Sequence, residues 1–219
     1  MHKSVNNLIE IKKKIHSNNI TKKSKVNIIA VSKTVSMENI IPLIEYGHLD
    51  FGENKVQEAV DKWTRVKSEY KNVNLHMIGK LQTNKVKLAV GLFDYIHSLD
   101  SIKLARKISS EQLKLNKSLK IFIQINIGDE DQKNGIKLDD LKSFYSICVN
   151  DLKLNIVGLM CLPPMQIDPK KYFKKMKIEA ESLSLKELSM GMSSDYMEAI
   201  EYNSTYVRIG TKIFGNRLS

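Results

Sequence analysis

The 219-residue chain predicts an α/β fold, a single (β/α)8 barrel of the TIM type with an extra N-terminal helix, occupying residues 1–219 as one domain. Three observations lead there. Eight short apolar or period-two runs recur along the chain, and stretches of helical periodicity separate them. No low-complexity linker, charge block or internal repeat divides the sequence. Strands that alternate with helices build a parallel sheet covered on its outer face, and eight such units suffice to close it into a barrel.

The elements follow in order. An amphipathic stretch comes first, with Val5, Leu8, Ile9, Lys12 and Ile15 on one side. "VNIIAVSK" is the first strand, and Ser36 stands before "MENIIPLI" as a cap for the next helix. "HLDFGEN" is the second strand; after it Val56, Ala59, Val60, Trp63 and Val66 share one helical face. "NLHMIGK", "DYIHSLD" and "KIFIQINIG" are strands three to five, and Leu138, Leu141, Phe144, Tyr145 and Cys148 stripe the helix that follows. "NIVGLMCLP" is strand six, and Asp168-Pro169 reads as an N-cap with a first-turn proline. "ELSMGMS" and "TYVRIGT" complete the set. The closing "KIFGNRLS" is too short for a normal last helix, so the leading helix or a partner surface should cover the seam between strands eight and one.

Hydrophobic residues make up 42% and charged residues 27%, an ordinary balance for a globular protein. No apolar run approaches the roughly 20 residues of a spanning helix, and the charged N-terminus lacks the apolar centre of a secretory signal. A cytoplasmic, membrane-free protein is expected. Cys148 and Cys161 lie in apolar runs, too few for a disulfide framework or a zinc site, and read as core residues. The net charge of +11 raises the class of basic RNA-binding proteins, but the lysines are scattered rather than gathered in a stripe, so no nucleic-acid partner is expected.

In such barrels, binding groups project from the C-terminal strand ends. Here those ends carry Lys33, Glu53, Asn54, Lys80, Gln82, Ser98, Asn126, Pro163, Met192, Ser193, Gly210 and Thr211. Lys33 shares strand parity with Ile29 and Val31 and should point where they point. A lysine at a strand end is commonly a snorkelling surface residue. Beside a cation such as Arg208, its amine would instead be tuned toward imine formation with an aldehyde. Arg208 has the parity opposite to Val207 and Ile209, which would aim it into the barrel, where a buried guanidinium needs a carboxylate or a ligand atom to accept from it. Ser193, Ser194 and Asp195 read both as a helix cap and, with Gly210 and Thr211, as an anion site after strands seven and eight. His76 and His97 read as core histidines satisfied by carbonyls, and Lys133 as a solvated loop lysine that could take a second aldehyde.

"AVSKT", "FGEN" followed by "VQEA", "HMIGKLQTNK", "GLM", "LSMGMSSDY" and "VRIGTKIFG" resemble, in this order and spacing, the YggS/PROSC family of pyridoxal phosphate (PLP) homeostasis proteins, whose fold is like the barrel domain of alanine racemase. The resemblance spans nearly the whole chain. It implies that Lys33 holds PLP as an internal aldimine, that Ser193, Gly210 and Thr211 hold its phosphate, that Arg208 faces the pyridine nitrogen, and that Asn54 and Met192 lie beside the ring. It further implies a monomeric, non-catalytic carrier that buffers PLP, serves vitamin B6 and amino-acid balance, and has PLP-dependent apo-enzymes as recipients. No metal is implied. Two features depart from the family pattern: Lys80 stands where relatives carry Pro or His, and a shorter segment before "LSMGM" should trim the helix between strands six and seven. The chain stops after the barrel, so the tyrosine that completes a racemase's two-base site is expected to be missing. The alternative is a small PLP-dependent racemase or lyase with Lys33 as its base.

Overall fold

The computed structural model describes residues 1–17, 25–130, 132, 134–164 and 167–215, so Lys133 lies outside the described residues. Its strands are β1 Asn27–Val31, β2 Asp50–Glu53, β3 Asn74–Met77, β4 Tyr95–Leu99, β5 Lys120–Ile125, β6 Ile156–Cys161, β7 Glu187–Met192 and β8 Tyr206–Ile209. They close into one parallel barrel in sequence order, with β8 pairing back onto β1. The helices are α1 Lys3–Ser17, α2 Met37–Glu45, α3 Val56–Glu69, α4 Val86–Leu92, α5 Ile102–Leu115, α6 Leu141–Ser146, α7 Lys170–Ser182, α8 Tyr196–Glu201 and the short α9 Thr211–Phe214. All eight expected strands are present, and the fold is the expected (β/α)8 barrel with its extra helix.

Strand alternation sorts the apolar side chains into two cores. One lies between barrel and helices and takes Ala30, Phe51, Leu75, Ile96, Val207 and Ile209. The other fills the barrel with Ile29, Tyr95, Phe122, Met160 and Tyr206. Burial of this extent supplies the main favourable term of folding.

The seam between β8 and β1 is covered as expected. On α1, Asn7 Nδ2 donates to the Ile213 carbonyl of α9 (2.9 Å) and Ser4 Oγ to the Asn39 carbonyl of α2 (3.1 Å). Its buried stripe is Val5, Leu8, Ile11 and Ile15. Ile9 and Lys12 sit at the edge instead, because α1 wedges between α2 and α9; the Lys12 ammonium lies over the Tyr46 ring at 5.6 Å.

Other local expectations shift slightly. Ser36 Oγ accepts from Asn39 Nδ2 (3.0 Å) rather than from a helix N–H. Asp168 accepts from the Lys170 N–H at 3.0 Å, as a capping carboxylate should. The Leu138 to Cys148 stripe crosses a 3-10 turn, α6 and a π-helical segment at Ile147–Asp151, so one apolar face runs through three windings. The helix between strands six and seven, α7, has 13 residues. No helix among the described residues is long and apolar enough to cross a membrane. Both cysteines are buried, and burial raises each thiol pKa to about 12, as core residues require.

One irregularity positions the site. Ser189 of β7 pairs with Tyr206 of β8, yet Met192 pairs with Arg208, so β7 uses three steps where β8 uses two. The extra residue falls at the Met190-Gly191 bulge, and Gly191 has φ +89. A Cβ there would lie 2.6 Å from Ala199 Cβ, so glycine is required twice over.

Candidate functional site

A cavity of about 550 Å³ opens at the C-terminal mouth of the barrel, within the size range of small-molecule sites. Lys33, Asn54, Met192, Ser193, Arg208, Gly210 and Thr211 all line it, so the structure brings every one of the expected binding residues to one place. Val31, Ile78 and Leu162 contribute apolar wall.

Lys33 arrives by a braced turn rather than as the last residue of β1. The ladder continues one residue past Val31, where the Ser32 N–H donates to the Gly52 carbonyl (3.0 Å). The chain then turns, the Val35 N–H donating to the Ser32 carbonyl (3.0 Å), with Thr34 at φ 62. A β-branched residue in the left-handed region is strained, at a cost of about 1–3 kcal/mol. Side chains from β2 and α3 hold that strain. Glu58 Oε1 accepts the Thr34 N–H (2.6 Å), and Lys62 Nζ donates to the Ser32 carbonyl (2.9 Å), to Glu53 Oε1 (3.0 Å) and to Glu58 Oε1 (3.1 Å). Glu53 is fully buried, and the same oxygen also accepts from Ser32 Oγ (2.8 Å) and Trp63 Nε1 (2.9 Å). Burial raises the Glu58 pKa, but the Thr34 N–H and Lys62 outweigh it, and the net shift is downward. Peptide groups on both sides of Lys33 are therefore clamped to α3.

Arg208 points into the barrel as parity predicts and is 4% exposed. Its Nη1 donates to Ser189 Oγ (2.6 Å) and its Nη2 to the Cys161 carbonyl (2.9 Å). Burial lowers its pKa, and no carboxylate among the described residues forms an ion pair with it. Of five guanidinium donors, those left over have no acceptor among the described residues.

The rim after β7 and β8 presents hydroxyls. Ser193, Ser194 and Thr211 make no side-chain hydrogen bond to any described residue, although all three line the cavity. Asp195 does not cap α8 with its side chain; its Oδ1 accepts the Met192 N–H (2.6 Å) and closes the loop on itself. At Gly210, φ is −109 and an added Cβ would meet Val31 at an ordinary 3.5 Å. Nothing on the protein side demands glycine there, which leaves the cavity side. Gly79 differs, since a Cβ would lie 2.4 Å from the Asn54 carbonyl oxygen; its bare backbone lets the end of β3 pack against Asn54. An amine, a cation with spare donors and unpartnered hydroxyls around one cavity fit a phosphorylated aldehyde carrying a heteroaromatic nitrogen.

His76 and His97, expected to bond carbonyls, bond side chains instead. His76 Nε2 meets Asp50 Oδ1 (3.1 Å), His76 Nδ1 meets His97 Nε2 (3.0 Å), and His97 Nδ1 meets Ser189 Oγ (2.8 Å). Inward parity on β3 and β4 turns both rings into the barrel, where side chains of β2 and β7 meet them. Sequence reasoning missed Ser189 and the Glu53, Glu58, Lys62 brace. The i,i+4 spacing of Glu58 and Lys62 was a usable signal for the brace.

Residues 7–217 match the family described as alanine racemase, N-terminal domain. The chain is 37% identical to a pyridoxal phosphate homeostasis protein of Aquifex aeolicus over 199 residues, 87% of this chain and 86% of that one. Among solved structures it resembles PipY of Synechococcus elongatus without PLP, with a TM-score of 0.87 at 30% identity over 98% of this chain and 100% of that one. The PLP-bound structure of PipY gives a TM-score of 0.86 at 31% identity, covering 97% and 100%. By sequence and by fold, the chain belongs to the pyridoxal phosphate homeostasis proteins, the YggS/PROSC branch of the alanine racemase N-terminal domain family.

Proposed function

We propose that this protein binds PLP through an imine with Lys33, formed with loss of water, and holds it in reserve for PLP-dependent apo-enzymes. In this reading Ser193, Gly210 and Thr211 take the phosphate, Arg208 faces the pyridine nitrogen, and Asn54 and Met192 flank the ring. The protein acts as a monomer in the cytoplasm and serves vitamin B6 and amino-acid balance. The observation that carries the reading is the convergence of Lys33, Arg208 and the unpartnered hydroxyls of Ser193 and Thr211 on one cavity. The PLP-bound relative of the same fold supports it.

The lining supports storage over racemisation. Bound PLP would supply an electron sink, and Arg208, which can only donate, would leave that sink weaker than a carboxylate partner would. Among the described residues lining the cavity, Lys33 is the one side chain able to accept a proton from carbon. Racemisation needs a base on each face of that carbon.

Borohydride reduction of the PLP-loaded protein, followed by peptide mass mapping, tests the site. A pyridoxyl group is expected on Lys33 and absent in Lys33→Ala; a protein that leaves PLP unmodified and unbound refutes the reading. Incubation with L- and D-amino acids should leave chirality unchanged and release no keto acid, whereas turnover lost in Lys33→Ala would establish the racemase or lyase alternative.

A further inference from the structure

A continuous line of polar side chains crosses the barrel interior beneath the cavity. It starts at Asp50, the first residue of β2 at the N-terminal face of the barrel, where the side chain is 23% exposed. It passes through His76 on β3, His97 on β4 and Ser189 on β7, all fully buried, and ends at Arg208 on β8 in the cavity wall. The four links measure 3.1, 3.0, 2.8 and 2.6 Å. We propose that these residues form a one-directional hydrogen-bond relay in which both histidines are neutral Nε2–H tautomers, Asp50 is the terminal acceptor, and Ser189, His97 and His76 position the guanidinium.

The direction follows from the two ends. Arg208 can only donate, and an ionised Asp50 can only accept. Ser189 Oγ therefore takes a proton from Arg208 and must place its own hydrogen elsewhere. Its one other partner among the described residues is His97 Nδ1. With Nδ1 accepting, a neutral His97 carries its proton on Nε2 and gives it to His76 Nδ1. His76 in turn carries its proton on Nε2 and gives it to Asp50. Four links then hold four protons, one in each.

Other arrangements fail at a buried atom. If His97 were protonated on Nδ1 it would donate to Ser189, and the serine hydrogen would have no acceptor in a site without water access. Its bare Nε2 would then force a proton onto His76 Nδ1. A neutral His76 would turn a lone pair toward the Asp50 carboxylate, and only a cationic His76 would avoid that. Asp50, Tyr95 and Tyr206 face His76, with Asn74 bonded to Asp50 and with Lys67 and Asp94 farther out; His97 faces His76, Arg208, Tyr206 and the stacked Phe122 (4.3 Å). Burial lowers the pKa of both histidines, and Arg208 adds to the effect at His97. The net shift at Asp50 is also downward, because the His76 and Asn74 bonds outweigh its burial.

The tautomers can be read on the cofactor-free protein, independently of the proposed function, from long-range ¹⁵N–¹H correlations. Near neutral pH both histidines are expected as neutral Nε2–H forms; an Nδ1–H or cationic form of either overturns the relay. Asp50→Leu should perturb the tautomer of His97, two links away, while Asp50→Asn, which keeps an acceptor oxygen, should preserve it. An unmoved His97 in a folded Asp50→Leu protein overturns the coupling. Should Asp50→Leu not fold, Ser189→Ala asks the same of His97 from the other side. The positioning of Arg208 rests on the PLP reading. Ser189→Ala should weaken PLP binding about tenfold, the scale of one hydrogen bond to a charged group, and shift the absorption of the bound cofactor. Unchanged affinity and spectrum in a folded Ser189→Ala protein would refute the positioning role while leaving the tautomer result intact.

Discussion

Replacing Lys62 by Met is expected to destabilise the fold and loosen the site together. Lys62 Nζ bonds Glu53, Glu58 and the Ser32 carbonyl, and its side chain is 12% exposed against 0% for Glu53. Removing it leaves the Glu53 carboxylate buried with only a hydroxyl and an indole N–H on one oxygen, and the other oxygen has no partner. Breaking a buried ion pair from one side costs about 3–5 kcal/mol, and the residual exposure of Lys62 places this case near about 3 kcal/mol. For a chain of this length each kcal/mol corresponds to about 2–4 °C, so Tm should fall by about 6–12 °C. PLP affinity should drop as well, since the peptide groups flanking Lys33 lose their anchor. Calorimetric melting of wild type and variant checks this. A fall in Tm below about 2 °C would show that the brace contributes packing and no charge compensation.

Three further outcomes are expected. Burial lowers the His48 pKa from 6.5 to about 4, so the folded state resists the proton that the unfolded chain binds below pH 6.5. The resulting stability is full above 6.5 and is lost as pH falls toward 4, by about 3 kcal/mol in all; denaturant titrations should show this slope in wild type and its reduction in His48→Gln. Gly79→Ala should lower both Tm and PLP affinity, because its Cβ meets the Asn54 backbone at 2.4 Å, whereas Gly210→Ala, at 3.5 Å from Val31, should melt like wild type and lose PLP binding. Ser193→Ala and Thr211→Val should each weaken PLP binding about tenfold with little effect on pyridoxal, as measured by equilibrium titration of the two aldehydes.

Much of the barrel was legible because its physics is local. Burying one face of a strand and one stripe of a helix imposes periodicities of two and 3.6 on the apolar residues, and both survive in a single sequence. The parity argument for Arg208 worked for the same reason, since β8 is regular from Tyr206 to Ile209. The same parity fails along β7. Strict alternation from Ser189 would put Gly191 inward, but the bulge puts Met192 opposite Arg208 and brings both Met192 and Ser193 to the cavity.

The pattern of residues by itself determined the eight units, the lysine and arginine that face the mouth, and the family to which the chain belongs. Tertiary structure alone decided what holds those residues. The Glu53, Glu58, Lys62 brace joins β1, β2 and α3, and the line from Asp50 to Arg208 joins five strands, with Ser189 lying 92 positions from His97. A buried polar atom is satisfied by whatever closure of the barrel places within about 3 Å. That distance is a property of the folded chain, and spacing along the sequence does not encode it.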